Sequence, residues 1–304
     1  MISFTELSGV DIEKLQRALG LTEEEDREYL EEIYSAFSEV SQQMDTEVAL
    51  CNVGGCLAVR IYDGERYIFP LPIEVRAGAD LSLAVREIGA YARHELIPLY
   101  FSDVPREALT LLGELFPRID ARAYDTDEDL FGVFVSNECA SLCEVPSITL
   151  GDITLDEIRD CDREAYAALC SDRELNRWWG YDADVDNPER DPDVYLRVAR
   201  SELESGIALT LAVRKEGEFV GEAVVYDFDY VGGAAIGIRI LPAFQGGGVG
   251  SRALMALIAL CREIGLSTVR TSVMKANSPS VRMTDKHMTR TEESEDKIFY
   301  SLNL

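Results

Sequence analysis

The stretch Ile236-Gly237-Ile238-Arg239-Ile240-Leu241-Pro242-Ala243-Phe244-Gln245-Gly246-Gly247-Gly248-Val249-Gly250-Ser251-Arg252 decides the fold of this chain. A β-branched run ends at Pro242, a turn of the form Gln-x-x-Gly-x-Gly follows, and helical apolar periodicity begins at once. Strand, turn and helix in this order place free backbone N–H groups at a helix N-terminus. Such a terminus binds phosphate through oriented donors and the helix dipole. The stretch therefore predicts an α/β unit with an anion site.

The spacing of the turn excludes two common phosphate loops. A dinucleotide-binding loop requires Gly-x-Gly-x-x-Gly with an acidic residue about 20 positions later, and residues 266–270 (Leu-Ser-Thr-Val-Arg) contain no acid. A P-loop requires Gly-Lys-Ser/Thr, and this turn has no lysine. An ordinary glycine-rich connection between a strand and a helix stays open as the alternative.

Two segments together carry a family resemblance. The turn resembles the pyrophosphate loop of the GNAT N-acetyltransferases, Arg/Gln-x-x-Gly-x-Gly/Ala, and residues 277–282 resemble that family's Asn-x-x-Ser-hydrophobic-Arg segment. Residues 172–181 resemble the acceptor-side helix and loop of the ribosomal-protein-acetylase-like branch. The resemblance covers residues 145–304, about half of the chain, and it implies acetyl-CoA as co-substrate and no metal.

The resemblance also implies which residues contact the co-substrate. In that family the strands beside the glycine turn splay apart, so backbone groups of residues 238–241 would bind pantetheine and the turn would hold the pyrophosphate. Asn277 would contact the pantetheine or thioester end, which makes it a catalytic candidate as well. Arg282 and Lys286 would reach the adenosine phosphate or be plain surface charges. The implied binding residues are Ile238, Ile240, Leu241, Gln245, Gly246, Gly247, Gly248, Val249, Gly250, Ser251, Arg252, Asn277, Ser280 and Arg282.

The proton-transfer residues of the family are not matched. Members often carry a carboxylate where this chain has Ala235, and a tyrosine where it has Thr284. A general base must lie within hydrogen-bond reach of its proton, directly or through one water. Glu222 on the preceding strand is the predicted base, with Asp227 and Asp229 behind it. For each acid, the alternative is a surface charge at a strand end.

Adjacent tryptophans lie within the acceptor-side segment. Trp178 and Trp179 cannot both face one core if the segment is helical. One interpretation places one of them in the acceptor groove, where its face could hold an ammonium group by a cation–π contact. The other interpretation has one ring packed inside and the other supporting the surface between domains.

The length of 304 residues predicts two domains. We expect residues 1–143 to form a degenerate acetyltransferase-like domain and residues 144–304 to form the acetyl-CoA-binding one. The fold class is α/β (α+β), with tandem acetyltransferase-like domains, each a mixed, mostly antiparallel sheet flanked by helices. Residues 69–72 and 98–104 resemble the C-terminal domain type of phosphatidylglycerol lysyltransferases. This half lacks the glycine turn, so we expect it not to bind CoA in the usual way; an unrelated α/β domain is the alternative.

Local signals in the first half predict two further features. Thr22 and Glu25 predict a capping box at the start of a helix that runs to about Val40. Asp63 and Gly64 predict the turn of a hairpin.

Composition limits the partners. The net charge is −27, from 56 acidic and 29 basic residues. Such a field repels nucleic acid and attracts cationic amines, although it could equally serve solubility alone. Because CoA is an anion, local cations such as Arg252, Arg282 and Lys286 would have to offset the field.

Cysteine and histidine usage predicts neither a metal nor a covalent mechanism. The seven cysteines are odd in number and include no Cys-x-x-Cys pair, so we expect free thiols in a reducing, cytoplasmic setting. The two histidines, His94 and His287, are expected to be structural or surface residues, with no serine–histidine arrangement. No signal peptide and no apolar stretch of 18 residues is recognised, so export and membrane insertion are not expected.

The functional hypothesis is transfer of an acetyl group from acetyl-CoA to the primary amine of a small molecule or peptide, by direct attack on the thioester. The alternative is a non-catalytic protein that binds CoA as a sensor or interaction partner. The oligomeric state is left open, a homodimer included.

Overall fold

The computed structural model describes residues 2–7, 11–21, 27, 30–37, 46–62, 67–94, 98–179, 185, 187 and 191–304, with backbone only at residues 93 and 94. The chain divides into two compact units, unit 1 (residues 1–136) and unit 2 (residues 137–304). The domain boundary expected between residues 143 and 144 stays a prediction. The Thr22–Glu25 capping box, the Asp63–Gly64 turn and the His94 side chain lie outside the described residues.

Unit 1 is one mixed sheet with helices. Its elements are β1 (Thr5–Glu6), α1 (Ile12–Ala18), α2 (30–37), β2 (Glu47–Val53), β3 (Cys56–Tyr62), β4 (Tyr67–Pro70), β5 (Ile73–Glu74), α3 (Leu81–His94), β6 (Leu99–Pro105), α4 (Ala108–Leu115), β7 (Ile119–Tyr124) and β8 (Asp127–Val135). The strand order is β1-β2-β3-β4-β6-β8-β7, with β5 also on β3. Among the described strands of this unit, β4 and β6 alone pair in parallel, and α3 lies between them in the chain. Leu15 on α1 and Leu30 and Ile33 on α2 pack against Leu50 and Leu57 of the sheet.

Unit 2 is a second mixed sheet. Its elements are β9 (Ile148–Leu150), β10 (Ile153–Asp156), α5 (Arg163–Ser171), α6 (Arg173–Asn176), α7 (Pro192–Glu204), β11 (Ala208–Lys215), β12 (Glu218–Tyr226), β13 (Gly233–Ile240), α8 (Val249–Glu263), β14 (Thr268–Met274), α9 (Ser278–Thr284), β15 (Thr289–Glu293) and β16 (Lys297–Asn303). The strand order is β9-β10-β11-β12-β13-β14-β16-β15. In the part of unit 2 that the structure describes, β13 and β14 are the one parallel pair, and α8 connects them.

The two sheets share one topology. In each sheet, antiparallel strands are followed by a parallel pair that a helix connects. The last strand of the unit (β8 or β16) then lies between the second parallel strand (β6 or β14) and the strand before it in sequence (β7 or β15). A crossover helix is what parallel neighbours require, since a tight hairpin joins only antiparallel strands. The predicted α/β (α+β) class, with two mixed, mostly antiparallel sheets flanked by helices, is confirmed.

The core of unit 2 lies between α8 and the sheet. Apolar residues of α8 recur at helical spacing, and Ala253, Leu257 and Leu260 are fully buried against Ile236 and Val269. This continuous apolar stripe fixes the start of α8 at the carboxyl end of β13. The glycine turn therefore stays on the surface while the helix behind it is anchored.

A buried ion cluster fixes the opposite face of the sheet. Arg214 on β11 is 5% exposed and approaches Asp156 on β10 at 2.6 Å and Asp162, just before α5, at 2.7 Å. Its guanidinium also donates to the Glu157 carbonyl at 3.0 Å. Buried charges are tolerated when they are paired and hydrogen-bonded in this way. The cluster ties the start of α5 to the sheet.

This cluster makes stability depend on pH. Burial alone raises the pKa of Asp162, but hydrogen bonds from Arg214 and from the Arg159 N–H outweigh it, so the pKa is lowered overall. A lowered pKa in the folded state adds stability above the unfolded value, about 3.9, and that stability is lost as the pH falls through the folded value. We expect the free energy of unfolding, measured in urea, to fall as the pH drops below about 4. Asp162→Asn should show a shallower fall; an unchanged slope would contradict this assignment.

Candidate functional site

A gap opens between β13 and β14. The two strands pair only at Gly233↔Thr268, Ala234↔Val269 and Ala235↔Arg270. Beyond this point β13 continues on β12 as far as Ile240, and β14 continues on β16 as far as Met274. Each strand therefore keeps its outer partner while the inner ladder ends. The splay that the family resemblance implies is present in the structure.

Backbone groups of β13 face this gap. The Leu241 N–H donates to the Val220 carbonyl of β12 at 2.9 Å. Because residues alternate along a strand, the N–H and C=O groups of Ile238 and Ile240 point away from β12, toward the gap. The Ile240 carbonyl accepts from the Gln245 side chain at 2.8 Å. Of the predicted pantetheine contacts, Ile238 has no ladder partner on β14, whereas the Leu241 donor is already used by β12.

The glycine turn supplies a row of donors at the mouth of the gap. Gly246 and Gly248 have φ values of +83° and +75°, which favour glycine, and Gly248 is the N-cap of α8. Within the described chain, the N–H groups of residues 246–251 donate to no protein acceptor. Free donors beside the positive end of a helix dipole are the arrangement that favours anions, and binding of a pyrophosphate here stays a prediction.

Gly247 and Gly250 have different reasons to be glycine. A Cβ at Gly247 would meet nothing within 4 Å, so its surroundings are open space. A Cβ at Gly250 would lie 3.3 Å from the Met283 sulfur and 3.8 Å from Cγ1 of Ile240. Gly250 therefore allows α8 to approach α9 closely, while Gly247 leaves room for a ligand.

Arg252 stabilises the glycine turn through contacts with the protein itself. Its Nε lies 2.8 Å from Oδ1 of Asp152, and its Nη1 donates to the Gly247 carbonyl at 3.1 Å. The positive charge predicted to contact the co-substrate is thus already matched by a carboxylate. Arg252 holds the shape of the turn, and direct contact with a ligand stays a prediction.

The Asn277 segment begins α9 beside the turn. Asn277 is the N-cap, and its Oδ1 accepts from the Ser280 N–H at 3.4 Å. Arg282 and Lys286 are exposed and form no salt bridge with another described residue. These two cations are therefore available to an anionic ligand.

A serine–histidine pair contradicts one expectation. The Ser251 hydroxyl, in the first turn of α8, lies 2.7 Å from Nε2 of His287. The sequence expectation of no such arrangement was wrong, because the two residues are 36 positions apart and meet only where α8 and α9 pack together. The bond orients the Ser251 hydroxyl next to the free N–H groups.

The predicted acids are all ion-paired. Glu222 is 3% exposed, and its Oε1 lies 2.7 Å from Nε and 2.6 Å from Nη2 of Arg239. Asp227 and Asp229 share Arg270, at 3.2 Å and 3.0 Å. Ala235 and Thr284, at the positions of the missing acid and tyrosine, are both buried. The general base therefore stays a prediction, and each candidate acid has an arginine partner.

Sequence reasoning missed a buried network around Arg239. Its guanidinium donates to Asn176 Oδ1 and, at 3.3 Å, to the Cys170 sulfur, and it lies 4.6 Å from the centre of the Trp179 ring. Burial raises the pKa of the Cys170 thiol to about 12, so this cysteine is a weak nucleophile near neutral pH. The one available signal was an arginine in an otherwise apolar strand.

In unit 1, a side chain of the protein itself occupies the N-terminus of α3, the helix that corresponds to α8. Asp80 precedes α3, its Oδ1 accepts from the Leu83 N–H at 2.9 Å, and its carbonyl accepts from the Ala84 N–H at 3.0 Å. A carboxylate of the chain itself thus caps the helix that corresponds to α8. A phosphate would meet like charge there, so the expectation that unit 1 does not bind CoA in the usual way gains a physical reason.

The described residues include neither a metal-binding cluster nor a membrane-spanning helix. They contain no cluster of three or more histidine, cysteine, aspartate or glutamate side chains able to hold a metal ion. No helix among them is long and apolar enough to cross a bilayer.

The family model that matches this chain falls within unit 2. The acetyltransferase (GNAT) domain model matches residues 152–287. RimJ of Mycobacterium smegmatis, solved with CoA-disulfide, is 20% identical over 50% of this chain and 81% of its own, with a TM-score of 0.43. A spermidine N-acetyltransferase of Vibrio cholerae, with CoA and spermine, is 14% identical over 50% and 95%, with a TM-score of 0.44. A putative ribosomal-protein-serine acetyltransferase of Vibrio cholerae is 18% identical over 54% and 100%, with a TM-score of 0.44. No curated protein matches the sequence.

Proposed function

We propose that unit 2, whose residues 152–287 match the acetyltransferase (GNAT) domain, transfers an acetyl group from acetyl-CoA to a primary amine. One observation carries this proposal. The parallel strands β13 and β14 part after Ala235↔Arg270, and the free N–H groups of residues 246–251 lie at the end of that gap. A ligand with an extended arm and an anionic end fits this combination.

The residues present suit acetyl-CoA. The turn is exposed, and open space surrounds Gly247, so a phosphate can approach the backbone donors closely. Arg282 and Lys286 supply exposed cations, without a salt-bridge partner among the described residues, that oppose the net charge of −27. The polar backbone of Ile238 can orient the arm along β13. When bound, acetyl-CoA supplies the acyl group as a thioester.

The acceptor is proposed to be the primary amine of a small molecule or peptide, attacking without a covalent enzyme intermediate. Burial raises the pKa of the thiols of Cys139, Cys170 and Cys261 to about 12 in each case, which disfavours a cysteine nucleophile. Arg239 contacts Oε1 of Glu222. This acid could therefore take a proton only on its other oxygen, Oε2, directly or through a bridging water. Asn277 is proposed to position the reacting end of the co-substrate from the start of α9.

A second function has one observation in its favour. The described carboxylates beside the gap (Glu222, Asp227 and Asp229) are each held by an arginine, and Ala235 stands where a base is common in the family. A domain that binds CoA without turning it over would tolerate this arrangement. Such a protein would act as a sensor of CoA or as an interaction partner.

Calorimetry followed by an amine screen tests both functions. We expect one acetyl-CoA per chain, because Asp80 fills the corresponding helix terminus of unit 1. Release of free CoA thiol on addition of an amine would support the acetyltransferase. Saturable binding without turnover on any amine would favour the sensor, and the absence of binding would exclude both.

A further inference from the structure

The Trp179 ring packs against Gly237 of β13, a position without a side chain. A Cβ built on Gly237 would be 2.9 Å from Cη2 and 3.2 Å from Cζ2 of Trp179. Gly237 has no positive φ among the described glycines, so its backbone does not require glycine. What requires it is the indole, which occupies the space of the absent side chain. Trp179 is therefore seated directly on the strand that borders the gap.

This contact lies at the inner end of the gap. Gly237 is two residues beyond Ala235, the last residue of β13 that pairs with β14. Side chains at 235, 237 and 239 share the face of the sheet opposite α8, because residues alternate along a strand. Ile236 on the other face packs into the core beneath α8. Trp179 thus borders the gap from the side that the α8 turn leaves open for a second substrate.

The ring is held from below by Arg239. The guanidinium is 4.6 Å from the ring centre and is fixed by Glu222, Asn176 and Cys170. Arg239 is 8% exposed, whereas Trp179 is 38% exposed. The underside of the indole is therefore anchored on a buried ion pair while part of the ring faces outward.

This arrangement argues against a polycationic acceptor. One face of the Trp179 π system already holds a cation, so a second cation on the other face would add less attraction and meet like charge. Among the described residues, Glu222 is held by Arg239, while Asp227 and Asp229 share Arg270. With these charges compensated and a cation already on one face of the ring, the exposed indole suits an apolar or aromatic group better than a second ammonium group.

We propose that Trp179 is the acceptor-side wall of the site and selects a monoamine whose ammonium is accompanied by an apolar or aromatic group. The proposal rests on the proposed function. Arg239 is a positioning residue in it, since it acts on the acceptor only by holding the ring.

The chain allows a direct binding test. It contains only two tryptophans, 178 and 179, so Trp178→Phe leaves Trp179 as the sole indole reporter. In this background, 2-phenylethylamine and 1,4-diaminobutane are titrated with saturating CoA, which prevents turnover. We expect 2-phenylethylamine to change Trp179 fluorescence saturably with a Kd at least tenfold lower than that of the diamine. Equal Kd values, tighter diamine binding or no response to either amine would overturn the proposal.

Kinetics with acetyl-CoA distinguish selection of the acceptor by Trp179 from a purely structural role of this residue. Trp179→Ala should lower kcat/KM for 2-phenylethylamine at least tenfold and change that for 1,4-diaminobutane little, with the Kd for acetyl-CoA unchanged. Arg239→Lys, which keeps the charge but not the planar fork, should raise KM for the aromatic amine more than it lowers kcat. An equal loss for both amines in Trp179→Ala would also contradict selection by the ring.

These experiments distinguish failure of the proposed function from failure of the proposed role of Trp179. If acetyl-CoA does not bind, the proposed function fails, and the fluorescence titration without CoA still decides whether Trp179 prefers the aromatic amine. If acetyl-CoA binds and amines are acetylated without that preference, only the role of Trp179 fails.

Discussion

Gly247→Asp is expected to weaken acetyl-CoA binding at least a hundredfold. The position is surrounded by open space and has no positive φ, so the new side chain can be accommodated without strain. Its carboxylate would then stand among the N–H groups that are proposed to hold the pyrophosphate. Two unit charges about 4 Å apart repel by about 4 kcal/mol at an effective dielectric of 20, which exceeds the roughly 2.8 kcal/mol of a hundredfold change. Isothermal titration calorimetry measures the effect.

Gly247→Asn is the matched control. Asparagine has nearly the shape of aspartate without its charge, so the difference between the variants isolates the electrostatic effect. We expect the asparagine variant to bind at least tenfold more tightly than the aspartate variant, with equal melting temperatures. Equal binding by wild type and Gly247→Asp would exclude this turn as the anion site.

Arg214→Met is expected to destabilise unit 2 strongly. The substitution removes a 5% exposed guanidinium and leaves Asp156 and Asp162 buried without their shared partner. Removing one member of a buried ion pair costs about 3–5 kcal/mol. The free energy of unfolding from urea titrations at neutral pH measures the loss.

Arg200→Met supplies the comparison for that measurement. Arg200 pairs with Asp160 at 2.9 Å, but the two side chains are exposed. Exposed pairs contribute about 0–1 kcal/mol, so this variant should stay close to wild type. Similar losses from both substitutions would show that the buried cluster has no special role.

The local parts of the site were predictable from sequence. The order of β13, the glycine turn and α8 follows from a β-branched run, glycines that permit positive φ at 246 and 248, and apolar residues at helical spacing. Each of these properties acts over a few residues. The fold class followed from the same kind of signal, repeated along the chain.

The ion pairing was not predictable in this way. Glu222 was expected to be a base, but Arg239, 17 residues later on the neighbouring strand, holds its carboxylate. With 56 acidic and 29 basic residues, almost any arginine has many possible partners in sequence. Only the strand register, which places Glu222 opposite Arg239, selects among them.

The sequence by itself thus determined where this protein presents free backbone donors, because φ preferences and helical periodicity are properties of adjacent residues. The tertiary structure decided what surrounds those donors. It opened the gap between β13 and β14, joined Ser251 to His287, capped α3 with Asp80 and seated Trp179 on Gly237. Apart from the Asp80 cap, these features unite residues far apart in the chain, and their distances follow from packing and register that no local pattern encodes.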